Sequence, residues 1–300
     1  MKWPYVNFMG SRRILFSVSG VLLVIAVAAL LVRGLSLGIE FKGGSVIALS
    51  KVPCKTISDI RTAATTAGIV DPLVQTADQG FIIRSAETST TVAEKESTAL
   101  QAALNVAPGD VQVSTVGPEW GSNVTNAAML ALVVSILAIL AYVSIRFEYK
   151  MAVTGVIALV HDVVITLGLY ALIGREVTPN TVAALLTIMG YSLYDTIVVF
   201  HRIRENTQNL SKKSFTQMAN DSLNQVLARW VNTGLSSLIP VVCLLVLGGS
   251  TLKDFAFALT LGLVSGAYSS VAVASPLYAM WKEREPRFQA LAKKYAVVAK

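Results

Sequence analysis

Charge is scarce in this chain, and so are the side chains most often used for chemistry. Only 14% of its 300 residues are Asp, Glu, Lys or Arg, and it has two histidines and two cysteines. That poverty excludes a zinc-type ligand cluster, for which no spacing exists, so no metal is expected. Cys54 stands in a polar segment and Cys243 in an apolar run, so no bridge between them is expected. A G-x-x-x-x-G-K-[ST] phosphate loop is missing as well, which removes ATP hydrolysis by that route. Neither a cofactor nor an enzymatic reaction is expected. What the chain has in plenty is apolar surface: 54% hydrophobic residues and a mean hydropathy of +0.61 belong to a protein dissolved in lipid. A net charge of +7 would suit nucleic acid, but the basic residues flank apolar runs and form no separate patch, so nucleic acid is not an expected partner.

A bilayer core takes about 20 apolar residues in helical form. Six stretches qualify: 14–32, 127–145, 151–173, 181–200, 231–247 and 255–280, the fourth taken with its lead-in as a span from 177. The fifth is the shortest and contains Pro240. A cleaved signal peptide is not the reading of 14–32, because its apolar run is long and Arg33-Gly34-Leu35-Ser36-Leu37 offers no A-x-A site. Basic residues mark the cytoplasmic side. With residues 1–13 inside, most of the 25 basic residues fall there, including Arg146, Lys150, Arg202, Arg204, Lys212, Lys213, Arg229 and those of the tail, 281–300. The expectation is an α-helical multi-pass protein of a prokaryotic cell membrane with both termini cytoplasmic.

Residues 33–126 then form an extracytoplasmic α+β domain between the first two spans. Ser45–Ser50, Ile69–Thr76, Phe81–Ser85 and Val111–Val116 read as strands, with Asp78-Gln79-Gly80 as a turn. Thr56-Ile57-Ser58-Asp59 has the form of a capping box opening a helix that Gly68 ends, and a second helix is expected from Thr91 to Asn105. The order β-α-β-β-α-β is that of a ferredoxin-like unit. In the loop 201–230, an apolar stripe from Phe215 to Trp230, capped by Ser214 with Gln217, predicts an amphipathic helix. It either lies in the headgroup plane or packs on a partner.

Three ionisable side chains lie inside the spans: His161 and Asp162 in the third, Asp195 in the fourth. A carboxylate near mid-bilayer costs roughly 2.5 to 3.5 kcal/mol on insertion scales, so each must face protein or water. Thr187, Tyr191 and Asp195 share a face of span four with Tyr194 beside them, while Asp162, Thr166 and Tyr170 line up in span three. Two readings stand: a proton path through Asp195 and Asp162, or aspartates that only bond neighbouring helices. His161 is expected to pack, pointing away from Asp162. Arg229, at the entrance to span five, is either an interfacial anchor or the partner of a carboxylate. Gly262 and Gly266, with Ser265, Ser269 and Ser270, form a close-packing face in span six, either within the bundle or toward another subunit.

The motifs resemble one family. Gly38-Ile39-Glu40-Phe41-Lys42-Gly43-Gly44 follows span one, Val116-Gly117-Pro118-x-x-Gly121 precedes span two, and Ala158-Leu159-Val160-His161-Asp162 lies in span three. Span four carries Gly190-Tyr191-Ser192-Leu193-Tyr194-Asp195-Thr196 and runs into Arg202-Ile203-Arg204-Glu205-Asn206. In order and over nearly the whole chain these are similar to the SecD/SecF family, on its SecF side, within the RND superfamily. The resemblance implies a half-bundle of six helices paired with SecD beside the SecYEG channel. There the proton motive force assists export of unfolded polypeptides after the ATP-dependent step of SecA. It also implies that Asp195 and Arg229 occupy the family's proton-path positions, with Arg229 facing a SecD carboxylate. This chain departs from the family pattern at Tyr194, His201, Trp230 and Glu40, where Asn, Asp, Thr and Asp are usual. The rival expectations are an RND-type exporter of small molecules or lipids and a non-catalytic scaffold of the translocon.

Overall fold

In the computed structural model, residues 4–50, 52, 55–77 and 80–296 are described. Six helices among them are long and apolar enough to cross a membrane. The first, α1 (Arg12–Arg33), is mostly Leu, Val, Ile and Ala and ends at Gly34. A two-residue strand β1 (Ser36–Leu37) and a single helical turn α2 (Ile39–Lys42) follow, and Gly43 and Gly44 then turn the chain into β2 (Gly44–Ser50). Only glycine suits Gly44: its φ is 136°, and a Cβ there would stand 2.5 Å from the Ser85 carbonyl oxygen.

The domain that follows is built of α3 (Ile57–Thr66), β3 (Leu73–Ala77), β4 (Gly80–Ser85), α4 (Thr90–Leu104) and β5 (Val111–Val116). Its four strands are antiparallel in the spatial order β3-β4-β2-β5. The capping box at Thr56 and Asp59 forms as the sequence indicates, and Asn105 closes α4 in the left-handed conformation. One strand starts late. Residues 69–72 stay outside β3, because Gly68 and Asp71 take positive φ and Pro72 follows, and none of these suits a sheet ladder. Asp78 and Gln79 of the expected turn, like Cys54, lie outside the described residues. Ile47, Leu49, Ile60, Ile69, Ile83 and Leu100 fill the core between sheet and helices.

The second span begins earlier than its apolar run. Gly117 caps α5 (Pro118–Arg146), so residues 118–126 belong to that helix and not to the domain. Proline at the first helical position explains the start, since its missing N–H would be unpaired there anyway. Next come α6 (Tyr149–Ile173), β6 (Glu176–Val177), which pairs in parallel with β1, and α7 (Pro179–Gln208), capped by Thr178 and Thr181.

The largest correction concerns the loop expected at 201–230. Helix α7 runs on to Gln208, and α8 (Phe215–Leu247) is one uninterrupted helix that joins the amphipathic stretch to the fifth span. Its apolar stripe lies neither in the headgroup plane nor on a partner. Phe215, Met218, Ala219 and Leu223 are buried with Met9, Phe200, Tyr278 and Phe288 of the same chain. Asn220 and Asn224 hold the N-terminal segment beside it, accepting from the Met9 and Val6 amides at 3.0 and 2.8 Å. The sixth span divides into α9 (Ser250–Ser269), a π turn (Ser270–Ala274) and α10 (Ser275–Glu283), followed by α11 (Pro286–Ala296). Pro276 accounts for the π turn: proline lacks an N–H and collides with the carbonyl four residues back, so the helix widens, and Ser275 Oγ donates to the Ser270 carbonyl at 2.7 Å.

Candidate functional site

Three helices meet around Asp162. They can do so because α9 presents glycine where it crosses α7. A Cβ at Gly262 would lie 2.1 Å from Ile188 Cδ1, and one at Gly266 would lie 2.8 Å from Ser192 Cβ. The Gly262-x-x-x-Gly266 face therefore packs inside this chain, against span four, and not against another subunit. With the helices so close, Ser265 and Ser269, one turn apart on α9, both reach the carboxylate on α6.

Asp162 is 1% exposed and accepts four hydrogen bonds. Ser192 of α7 and Ser269 of α9 donate to its Oδ2, each at 2.7 Å, and Ser265 donates to Oδ1 at 2.7 Å. The fourth comes from His161 Nδ1, at 3.1 Å from Oδ1. This corrects the expectation that His161 points away. The ring folds back along the helix onto its neighbour, stacks on Tyr268 with 6.4 Å between centroids, and leaves a buried Nε2 unpaired. A carboxylate with four donors on two oxygens ties spans three, four and six together. Thr196 and Ser270 add a further bond between α7 and the π turn, at 2.9 Å.

Asp195 lies one turn beyond Ser192 on α7 and is treated differently. It is 4% exposed, yet its Oδ2 has no hydrogen-bond partner. Beside it the bundle is open. Tyr194 is 47% exposed and accepts from Arg229 Nη2 of α8 at 2.8 Å, so Arg229 bonds to the phenol of span four and stands on the exposed side. Tyr191, one turn before Asp195, donates to the Thr233 carbonyl of α8 at 3.1 Å. The other expected relay members are occupied. Thr166 donates to the Asp162 carbonyl and Thr187 to the Ala183 carbonyl, both at 2.8 Å and within their own helices. No hydrogen bond joins Asp162 to Asp195 among the described residues; Ser192 links the two elements.

The family-motif residues build the junction between the soluble domain and the bundle. Gly38 caps α2, which carries Glu40, and Gly43 closes it. Gly117 and Pro118 start α5, whose Gly121 rides so close on α2 that a Cβ would be 2.6 Å from the Phe41 carbonyl oxygen. Phe41 is buried among Tyr170, Val177 and Leu185. Gly190 is exposed on α7. A second tie passes through Glu176 in β6, which pairs with Arg84 of β4, while Arg84 also donates to Gln75 at 2.9 Å. Burial pushes the Glu176 carboxyl above its ordinary range against the opposing pull of Arg84. Its neighbour in the chain, Arg175, binds Asp254 of α9 at 2.7 Å.

Sequence reading placed both aspartates but not what surrounds them. Ser265 and Ser269 stood out only as small packing residues; the signal that they serve Asp162 is their spacing of four beside a buried acid. Arg84 and Glu176, far apart in sequence, gave no local signal at all.

Comparison with known proteins matches residues 96–284 to the family of protein export membrane protein SecD/SecF, C-terminal, and residues 28–50 to the SecD/SecF GG motif. The chain is 39% identical over 297 residues to a protein translocase subunit SecF of Streptomyces coelicolor, covering 96% of this chain and 80% of that one. It is 36% identical over 307 residues to that of Desulfurispirillum indicum, covering 98% of each. Among solved structures, a SecDF from Thermus thermophilus, described as a translocon-associated membrane protein, superposes with a TM-score of 0.87 at 35% identity. That match covers 94% of this chain and 39% of the SecDF chain, so this chain spans about two fifths of it. Six apolar helices and the glycine-rich junction after the first thus stand beside the matches in sequence and in structure: the chain is a multi-pass membrane protein belonging to the SecD/SecF family of protein-export proteins.

Proposed function

We propose that this chain works as a SecF-type subunit. With SecD it uses the proton motive force to assist export of unfolded polypeptides through SecYEG after the ATP-driven step of SecA, and it performs no enzymatic reaction itself. The observation that carries this reading is Asp195: a buried carboxylate on span four with one oxygen lacking any hydrogen-bond partner, beside a face open at Tyr194 and Arg229. A carboxylate so placed is poised to take and lose a proton as its surroundings change. Arg229 offers the opposing charge and is free on its outer side to meet a SecD carboxylate. Asp162 serves in this reading as a fixed anchor, since its four acceptor positions are already used by serines and His161.

Motion then has a route outward. Span four carries Asp195, and the strand preceding that span pairs with β1 at the root of the outer domain. That domain has the strand order of a ferredoxin-like fold and, with basic residues marking the cytoplasm, lies on the extracytoplasmic side of a prokaryotic cell membrane; both termini are cytoplasmic. Secretion of an exported reporter, followed in cells that produce the chain at normal level, tests the reading. Asp195→Asn should lower the rate as far as deleting the chain does, while SecD still copurifies. Unchanged secretion would remove the proton role.

A further inference from the structure

A cavity of about 760 Å³ opens between the ends of α5, α7 and α10 and the start of α11. Arg146, Arg204 and Arg287 line it over an apolar wall of Phe147, Met151 and Phe288. A smaller cavity of about 310 Å³ adjoins it, sharing Arg146 and Arg204. We propose that this cavity binds the phosphate headgroup of an anionic glycerophospholipid, a role independent of the proton path.

Charge balance is the first argument. Two carboxylates reach the cavity, Glu148 and Glu285, and both are engaged by lysines: Lys282 binds Glu148 at 2.7 Å and Glu285 at 2.8 Å, and Lys150 binds Glu285 at 2.7 Å. The three arginines are left without a carboxylate among the described residues. Arg204 is oriented by donating from Nη1 to the Arg146 carbonyl at 3.1 Å, and Arg287 rests over the Phe288 ring, 5.5 Å from its centroid. Guanidinium groups that line one cavity repel one another unless an anion lies between them, and planar forked donors suit phosphate oxygens.

Depth in the bilayer is the second argument. Arg146 is the last residue of α5, an apolar helix whose neighbouring Ile145 is 88% exposed. A helix end of this kind stands at the headgroup level, where a phosphodiester arrives already positioned and its acyl chains can lie along the exposed side of α5. The volume is that of an ordinary ligand site.

Native mass spectrometry of the chain, purified in detergent and given phosphatidylglycerol or phosphatidylcholine with the same acyl chains, tests this. The wild type should retain phosphatidylglycerol in preference by at least about tenfold, the scale expected of several basic residues acting on one anionic lipid. R146Q/R204Q should abolish the preference and R287Q weaken it; R146K/R204K, which keeps the charge but not the planar fork, should keep only part of it, and R12Q/R13Q, which removes equal charge outside the cavity, should leave it intact. The proposal is overturned if wild type shows no preference or if R146Q/R204Q retains it. It also fails if R12Q/R13Q loses the preference equally, or if millimolar inorganic phosphate displaces the lipid, which would assign the site to free phosphate.

Discussion

Replacing Asp162 by alanine removes the acceptor for three serine hydroxyls from two other helices and for one imidazole. Each interhelical bond of this kind in a membrane bundle is worth about 0.6 kcal/mol on average and up to about 1.7. The three serine bonds together therefore place the loss at roughly 2 to 5 kcal/mol, the upper part applying because the acceptor is charged and almost fully buried. Unfolding of the purified chain in mixed micelles of rising denaturing-detergent fraction would measure it. A cycle with Ser269→Ala gives the sharper test. If the bond is as described, Ser269→Ala costs about 1 kcal/mol in the wild type and almost nothing once Asp162 is alanine, a coupling well above the few tenths expected of independent sites. Strictly additive losses would refute the cage, and so would an Asp162→Ala protein as stable as its parent. Ser265→Ala should behave like Ser269→Ala, because each serine gives one hydroxyl to the same carboxylate from the same helix.

Two further outcomes are expected. Gly262→Ala places a methyl against Ile188 and should destabilise the chain by about 1 to 3 kcal/mol, with Ile188→Ala in the same molecule restoring part of the loss in the same unfolding assay. Burial works to raise the Glu285 carboxyl, but its hydrogen bonds to Lys150 and Lys282 outweigh this and hold it below the usual carboxylate range. Since its folded value lies below its unfolded one, its stabilisation is present above about pH 4.3 and is lost as pH falls through the lower folded value; a melting-temperature profile between about pH 6 and 3 should therefore be flatter in Glu285→Gln.

How much of this was legible beforehand depends on whether a feature is local. The spans were visible because lipid demands a run of apolar residues whatever the neighbours do, and the cap at Thr56 because a capping box is closed by residues three apart. Span ends were less visible. Hydrophobicity stops where the lipid stops, but a helix stops where its hydrogen bonds do, so α5 starts at Pro118 and α7 ends at Gln208, both well outside their apolar runs. The amphipathic stretch of α8 was legible as a helix, and its surroundings were not: an apolar stripe says that something covers it, without saying whether that is lipid, a partner or, as here, Tyr278 and Phe288 of the same chain.

By itself the sequence determined that six of its stretches are long and apolar enough to cross a membrane, that a separate α+β unit follows the first, and that Asp162 and Asp195 are acids within those stretches. Each follows from composition or short-range periodicity. Only the tertiary structure decided how those two acids differ. They sit in adjacent spans, yet one is enclosed by serines that arrive from thirty and over a hundred positions away in the chain, and the other keeps an unpaired oxygen. The reason is that hydrogen-bond satisfaction inside a bilayer is set by which helices can approach, and that was decided by glycines at 262 and 266 meeting Ile188 and Ser192.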